Sequence, residues 1–171
     1  MTAMDDWRKD RIRSALEGRN PTVLARLSSG FAVIGDTQFL PGYCLLLSDD
    51  PSADRLADLS RSRRLAFLAD VDLIGEAVQT VCARHDPQFR RVNYSVLGNL
   101  DPILHAHIHP RYGWEPPELL RGPVSHYPAA AHTVPLGPGH DQLRADLATE
   151  IARLSAEYDE PARVPEDFPG L

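Results

Sequence analysis

The residues best suited to chemistry are three histidines, His105, His107 and His109, which lie within the short segment 104–112 (LHAHIHPRY). Side chains alternate between the two faces of a β-strand, so a strand here places the three imidazoles on one face and the intervening apolar residues in the core. Imidazole titrates near neutral pH and serves as a nucleophile, a proton carrier or a metal ligand. The spacing therefore predicts a catalytic or metal-binding strand.

A metal site is the first alternative, because Glu115 follows the histidines and gives the segment a likeness to the metal motif of cupins. The interval from His107 to Glu115 is longer than the usual cupin gap. A cupin also needs many strands, whereas the segments 60–84 and 139–158 carry apolar residues at helical spacing. A metal-binding protein that uses His105, His107 and His109 stays open as an alternative.

The surrounding sequence predicts an α+β domain with an antiparallel sheet. The expected helices are 5–18, 60–84 and 139–158, and the expected strands are 31–34, 43–47, 90–97 and 103–109. Seven prolines lie between residues 110 and 138, too many for regular structure, so we expect an irregular extension there. The tail from Glu160 is expected to be loose.

Composition narrows the class of protein. A chain of 171 residues with a net charge of -6 fits one ordinary domain and disfavours a nucleic-acid polymer as partner, because binding one needs clustered Lys and Arg. No segment approaches the ~18 consecutive apolar residues of a membrane span, and the N-terminus lacks the apolar core of a signal peptide. We therefore expect no membrane partner and a cytoplasmic location. Cys44 and Cys82 form no CxxC pair and are expected to be buried thiols.

Two segments carry a resemblance to a known family. The run 98–112 (GNLDPILHAHIHPRY) resembles the signature of the histidine-triad (HIT) family, which in bacterial members often reads Leu-Gly-Asn, then Pro, the triad and Pro-Arg-Tyr. The upstream run 30–47 (GFAVIGDTQFLPGYCLLL) is similar to the nucleoside-binding hairpin of the family, with an Asp after its first strand, then Pro-Gly-His and an apolar strand. The resemblance covers about residues 28–112.

The resemblance implies a HIT-like antiparallel five-stranded meander sheet with helices packed on it. It divides the chain into an N-terminal helical segment, 1–27, a HIT-like core, 28–112, and a Pro-rich extension with a C-terminal helix, 113–171. It also implies a homodimer, a nucleotide as small-molecule substrate, no cofactor and no metal.

The register of the triad can be read in two ways. Taken simply, His107 is the middle of three visible histidines. In the family, however, a Gly commonly lies seven residues before the middle His, and Pro-Arg often begins three residues after the third. Gly98 and Pro110 then make His105 the middle His and His107 the third. In this preferred register Ile103 occupies the first position and His109 is an additional histidine.

Family chemistry implies that His105 attacks the α-phosphorus to form a nucleotidyl-histidine, which water hydrolyses, while His107 stabilises the transferring phosphoryl group. The expected function is hydrolysis or transfer of a nucleotide phosphoester or phosphoramidate. The residues expected to contact phosphate or nucleotide are Asp36 (through the ribose hydroxyls), Asn93, Asn99, His109 and Arg111.

The sequence departs from the family pattern at three positions. Tyr43 replaces the His of Pro-Gly-His, Ile103 replaces the first triad His, and Asp50 lies in a run where the family often has Pro-Lys-x-His. Each change removes a group that could position phosphate or tune the nucleophile. A non-catalytic nucleotide-binding HIT module is therefore the second alternative.

Overall fold

The fold is a single antiparallel sheet with helices against it, seen here in a computed structural model that describes residues 7–159. The strands are β1 (Val23–Arg26), β2 (Gly30–Ile34), β3 (Cys44–Ser48), β4 (Phe89–Ser95) and β5 (His105–Tyr112). The helices are α1 (Arg11–Leu16), α2 (Arg61–His85), α3 (Pro117–Leu120) and α4 (Asp141–Asp159). The α+β class and the five-stranded antiparallel sheet are confirmed. The tail from Glu160 lies outside the described residues.

The strand order is β1-β2-β3-β5-β4, which corrects the expected simple meander. Strands β1, β2 and β3 are successive neighbours in the sheet, whereas the order of β4 and β5 is reversed. Helix α2 has 25 residues and, at about 1.5 Å per residue, carries the chain far enough for β4 to form the opposite edge. Strand β5 then returns between β3 and β4, so the histidine-bearing strand is paired on both sides. Strand β1 lies before residue 28 and still pairs with β2, so the sheet begins earlier than the expected core.

The hydrophobic core lies between one face of the sheet and helices α2 and α4. The Ser60 side chain caps α2 by accepting a hydrogen bond from the backbone N–H of Arg63. The fully buried side chains of the helices recur at helical spacing and pack with the sheet residues Ala106 and Ile108; they are Phe67, Ile74, Val78 and Val81 on α2 and Leu147, Ile151 and Leu154 on α4. Because Ala106 and Ile108 point into this core, their histidine neighbours must face the other side of the sheet.

The second face of the sheet is covered by α1 and by the Pro-rich segment. Ala15 of α1 packs with Phe31, Val33 and Leu47 in a smaller apolar cluster. The Pro-rich segment contains only α3 and short 3-10 turns, as its prolines predict. Within residues 7–159, no helix is both long and apolar enough to cross a membrane.

Candidate active site

The three histidines lie side by side on one face of β5, as the alternation predicts. His107 is paired across the sheet with Leu45 on β3 and with Ser95 on β4, and His109 is paired with Asn93. His105 and His109 are each only 8% exposed, and His107 is half-buried. A central strand therefore holds three imidazoles in a partly desolvated row.

His105 has one ring nitrogen fixed by the backbone. Its Nδ1 lies 2.7 Å from the carbonyl oxygen of Ile103, two residues earlier. A carbonyl oxygen only accepts hydrogen bonds, so Nδ1 carries the ring proton and the Nε2 of the neutral ring keeps its lone pair. This is the protonation pattern that a nucleophilic imidazole requires.

His107 has the opposite arrangement, because its Nδ1 lies 2.7 Å from the hydroxyl of Tyr43. Burial, and then the neighbouring His105, lower the pKa of His107 to about 4, so the ring is neutral at pH 7. Burial raises the pKa of the Tyr43 phenol, which stays protonated. The hydroxyl has no other hydrogen-bond partner among residues 7–159, so it donates to Nδ1 and leaves no buried O–H unpaired. The ring proton of His107 then lies on Nε2.

The turn before β3 explains how Tyr43 reaches this position. The side-chain amide of buried Gln38 donates to the carbonyls of Gly35 and Tyr43 at 2.8 and 3.0 Å and accepts from the backbone N–H of Gly42. Gly42 has a φ of +96°, and a Cβ there would lie 2.3 Å from the sulfur of Cys82. Glycine is therefore required, and the braced turn directs Tyr43 towards β5.

His109 forms an aromatic wall and not a charged phosphate contact. Its ring stacks on the Tyr43 ring with centroids 4.2 Å apart and planes 1° apart. Burial, followed by the charges of His107 and Arg111, lowers the pKa of His109 to about 3. The neutral ring offers aromatic surface at neutral pH, and the expected contact of His109 with phosphate or nucleotide stays a prediction.

The expected contact of Arg111 with phosphate is also corrected, because its guanidinium is fully occupied within the protein. It is 2% exposed. Its five N–H donors bond the Glu115 carboxylate, the Asn93 side-chain oxygen, and the carbonyls of Gly122 and Leu119, at 2.8 to 3.1 Å. No donor is left for a bidentate phosphate contact. Arg111 instead fastens the Pro-rich segment to the sheet.

The two asparagines separate into one that reaches the site and one that does not. Arg111 occupies the side-chain oxygen of Asn93 at 2.8 Å, which turns the amide N–H₂ away from the guanidinium. Asn93 lines a cavity beside His107 and His109. Asn99 lies on the exposed loop between β4 and β5 and lines neither of the two cavities beside the histidines.

Asp36 lies near His105 and His107 but already has cationic partners. Its carboxylate accepts hydrogen bonds from Arg11 at 3.0 Å and from Arg8 at 3.3 Å. Burial alone would raise the pKa of Asp36, but the bonds from these two arginines lower it, and the group is ionised. The side chain is 30% exposed, so one face still reaches solvent.

Two cavities meet at Tyr43 and His107. The smaller, about 160 Å³, is lined by Asp36, Arg11 and His105 as well as by Tyr43 and His107. The larger, about 510 Å³, extends past His109 towards Asn93 and the Pro-rich segment. The order of the histidines along β5 is thus the order of the site: His105 faces the small cavity, His107 faces both and His109 faces the large one.

The side chains give no support to a metal site on this strand. Within residues 7–159, no three His, Cys, Asp or Glu side chains come together in a way that could hold a metal ion. The Nδ1 atoms of His105 and His107 are already bonded to a carbonyl and a phenol. Glu115, the ligand that the metal alternative needed, is bonded to Arg111.

Sequence reasoning missed two functional features. Tyr43 appeared only as a departure from the family pattern, although it lies at the start of β3, two residues before the cross-strand partner of His107. The cation pair on Asp36 comes from Arg8 and Arg11, which lie outside the recognised segments. Neither contact has a signal in local spacing, since both depend on which elements become neighbours.

Comparison with solved structures identifies the fold. No protein-family model matches the sequence, and no curated protein is significantly similar to it. Among solved structures, a histidine triad protein from Marinobacter aquaeolei VT8 is similar with a TM-score of 0.63 and 19% identity, covering 77% of this chain and 89% of that one. A histidine triad protein from Sinorhizobium meliloti 1021 has a TM-score of 0.62 and 15% identity, covering 81% and 93%.

A third similar structure is a hypothetical histidine triad nucleotide-binding protein from Sulfolobus tokodaii, with a TM-score of 0.64 and 11% identity over 88% of this chain and 97% of that one. Sequence identities this low show that the chains share a fold, and they show nothing further about this chain. The protein is an α+β protein with a row of histidines on a central strand, and its fold is that of the histidine-triad proteins.

Proposed function

We propose that this protein hydrolyses or transfers a nucleotide phosphoester or phosphoramidate through a covalent intermediate on His105. One observation carries the proposal: on the same strand face, His105 has a free Nε2 lone pair and His107 has a neutral Nε2–H donor. The two rings are 4.8 Å apart between centroids and inclined at 70°. A phosphoryl group between them meets a nucleophile and a pre-oriented donor.

The reaction proceeds in two displacements. In the first, the Nε2 lone pair of His105 forms a bond to phosphorus and the bond from phosphorus to the leaving group breaks; the leaving group takes a proton from solvent. In the second, water attacks phosphorus, the bond to Nε2 breaks, and the proton of the water returns to solvent. His107 donates a hydrogen bond from Nε2 to a phosphoryl oxygen in both steps and remains neutral.

The hydrogen bond from His105 to Ile103 also supports the register in which His105 is the middle histidine. The nucleophile needs its other nitrogen held by a backbone acceptor, and only His105 of the three has such a bond among the described residues. His107 bonds a phenol and His109 stacks on it.

We place the nucleotide on the His105 side of the site. Asp36 and Asp101 are the two carboxylates that line the small cavity, and the exposed face of Asp36 suits ribose hydroxyls. Arg11 beside it adds positive charge near the phosphoryl position. Asn93 lies on the opposite side and is proposed to donate its amide N–H₂ towards the leaving group.

The test is intact-protein mass after rapid quenching with a slow adenylate or guanylate ester, for wild type and three variants. Wild type is expected to carry a nucleotidyl adduct, and His105→Ala to carry none and to lose turnover. His107→Ala is expected to retain some adduct with a rate about 10²- to 10³-fold lower, the usual cost of one oriented donor. His109→Ala is the matched control and is expected to be milder.

Two results would oppose the proposal. An adduct that persists in His105→Ala and disappears in His107→Ala would identify His107 as the nucleophile. Nucleotide binding without adduct or turnover in wild type would instead favour a non-catalytic nucleotide-binding module.

We also propose a homodimer. Strand β4 is a sheet edge, and Tyr94 on it is 50% exposed; Leu65 and Leu68 on α2 are 57% and 46% exposed. The Tyr94 ring lies against Gly75 of α2, so the strand and helix surfaces adjoin. Exposed apolar surface beside a free edge favours pairing with a second copy. Light scattering is expected to give twice the 19.0 kDa chain mass, and Leu68→Glu, but not the control Leu16→Glu, is expected to weaken the dimer.

A further inference from the structure

The large cavity is placed where a leaving group would depart. Displacement at phosphorus is in line, so the leaving group lies opposite the attacking nitrogen. His105 lines only the small cavity, and His107 lines both. The large cavity therefore lies on the other side of His107 from His105, where a leaving group opposite the attacking nitrogen would have room.

The size of that cavity suits a substantial organic group. Its volume of about 510 Å³ lies within the usual range of small-molecule sites, roughly 300–1,000 Å³. The small cavity, at about 160 Å³, lies below that range, so a nucleoside bound beside it extends past the exposed face of Asp36 into solvent. The site thus offers its larger space on the side of the leaving group.

The lining of the large cavity includes no Asp, Glu, Lys or Arg. Its lining includes the apolar residues Leu97, Pro123 and Val124 and the imidazole of His132. Its polar groups are hydroxyls, the Asn93 amide and imidazoles, of which His107 and His109 have pKa values of about 4 and about 3. A charged group here would lose hydration without gaining a counter-ion.

The Pro-rich segment builds one wall and is held in place. Glu115 bonds both Arg111 and the hydroxyl of Tyr127, and the Tyr127 and His132 rings pack against Phe39 with centroids 5.2 and 4.5 Å away. These contacts fix residues 123–125 and His132 over the cavity. The extension that the family resemblance left unexplained is therefore a preformed wall.

We propose that the large cavity is a leaving-group site for an uncharged, mainly apolar group of aromatic size, and that the Pro-rich segment sets this preference. The inference rests on the proposed function and narrows its substrates to aryl or similarly apolar esters and amides of a nucleotide. A second nucleotide carries phosphate charge and an aminoacyl group carries an ammonium, so both fit the cavity poorly.

The experiment compares two substrates that share the nucleotide: adenosine 5′-phosphoramidate and its N-(2-naphthyl) derivative. The ratio of their kcat/KM values is measured in wild type, Leu97→Asp, Ser125→Asp and the control Leu100→Asp. Leu97 and Ser125 line the cavity at its exposed rim, so a carboxylate there is tolerated in folding. Leu100 is 96% exposed in the same loop and does not line the large cavity.

The naphthyl substrate is expected to be favoured on the order of 10- to 100-fold, the range for apolar discrimination by a pocket. Leu97→Asp and Ser125→Asp are expected to lower the ratio at least about 10-fold, and Leu100→Asp to leave it unchanged. Intrinsic reactivity cancels in this comparison because only the change of the ratio between proteins is judged. We expect 2-naphthol to bind to His105→Ala, as measured by its fluorescence. This binding should be lost in the double variant that also carries Leu97→Asp.

Failure of the inference and failure of the proposed function give different results. The leaving-group site is overturned if the Asp variants turn over both substrates with an unchanged ratio of kcat/KM values. It is also overturned if they lose kcat/KM equally on both substrates. Either result assigns the cavity to the shared nucleoside. Arg90, Arg91 and Arg121 line a neighbouring groove that shares Asn93 and Pro123 with the large cavity. A preference for diadenosine tetraphosphate that falls in Arg121→Gln would therefore also overturn the inference. No adduct or turnover with either substrate removes the proposed function and the leaving-group assignment together, even if 2-naphthol binds.

Discussion

Replacing Tyr43 with phenylalanine removes one hydroxyl and tests how the site controls protonation. The Phe ring keeps the stacking on His109, whose centroid lies 4.2 Å from that of Tyr43. What is lost is the 2.7 Å hydrogen bond to Nδ1 of His107. Without it, nothing on the described residues holds the ring proton of His107 on Nε2, and both neutral tautomers become populated.

The expected effect follows from the strength of that bond. A hydrogen bond of this kind contributes about 0.5–1.5 kcal/mol net, and about 1.4 kcal/mol changes a population ratio tenfold. We therefore expect kcat in Tyr43→Phe to fall up to about tenfold, less than the about 10²- to 10³-fold expected for His107→Ala, which loses the donor completely.

The assay pairs single-turnover rates with ¹⁵N NMR of the histidine rings. The matched control is Tyr112→Phe, which also removes a hydroxyl from a buried tyrosine, one that donates to the carbonyl of Pro41 and touches no histidine bond. Wild type and Tyr112→Phe are expected to show His107 protonated at Nε2, and Tyr43→Phe a mixture. An unchanged tautomer and rate in Tyr43→Phe, or an equal loss in Tyr112→Phe, would refute the reasoning.

Three further outcomes follow from the buried groups. The pKa of His109 is held near 3, against 6.5 for the free side chain, so the unfolded chain binds a proton first as pH falls. The free energy of unfolding should therefore drop by about 2–3 kcal/mol between pH 7 and 4.5. Urea denaturation should show a smaller drop in His109→Gln. Arg111→Ala leaves Glu115 buried and unpaired, which should cost about 3–5 kcal/mol and open residues 115–133 to limited proteolysis, whereas substitution of exposed Arg64 should do neither. Activity should persist in EDTA; a stoichiometric metal whose removal abolishes it would revive the metal alternative.

The elements that the sequence predicts well are those whose burial repeats along the chain. Alternation over 103–109 places Ala106 and Ile108 in the core, and β5 runs from His105 to Tyr112 as a result. The same logic locates α2 and α4, since their apolar residues recur every three or four positions. β1 is different: four residues are too few to show a period, and it is a strand because β2 offers it an edge.

The site residues can be divided in the same way, into those that local sequence predicts and those whose role only the fold explains. The shared face of the histidines is a local property of a strand, so their spacing predicts it. The role of Arg111 is not local: its type suits phosphate, but the fold brings Glu115 and two backbone carbonyls around it and uses every donor. Asn99 follows a turn glycine as the family pattern requires, yet the loop leaves it exposed. Spacing identifies a residue that can reach a site, whereas competing partners decide whether it does.

The replacement of a family histidine by Tyr43 has a physical consequence for the whole site. A histidine beside Nδ1 of His107 would itself titrate near pH 6.5 and change from donor and acceptor to donor alone within the physiological range. The Tyr43 phenol has its pKa raised by burial, so it stays a donor across that range. His105 is held by a carbonyl, which does not titrate at all. The two neighbouring imidazoles are therefore held in opposite tautomers, with the proton of His105 on Nδ1 and that of His107 on Nε2. On this reasoning the departure at position 43 makes the His107 donor less sensitive to pH and leaves the chemistry of the pair intact.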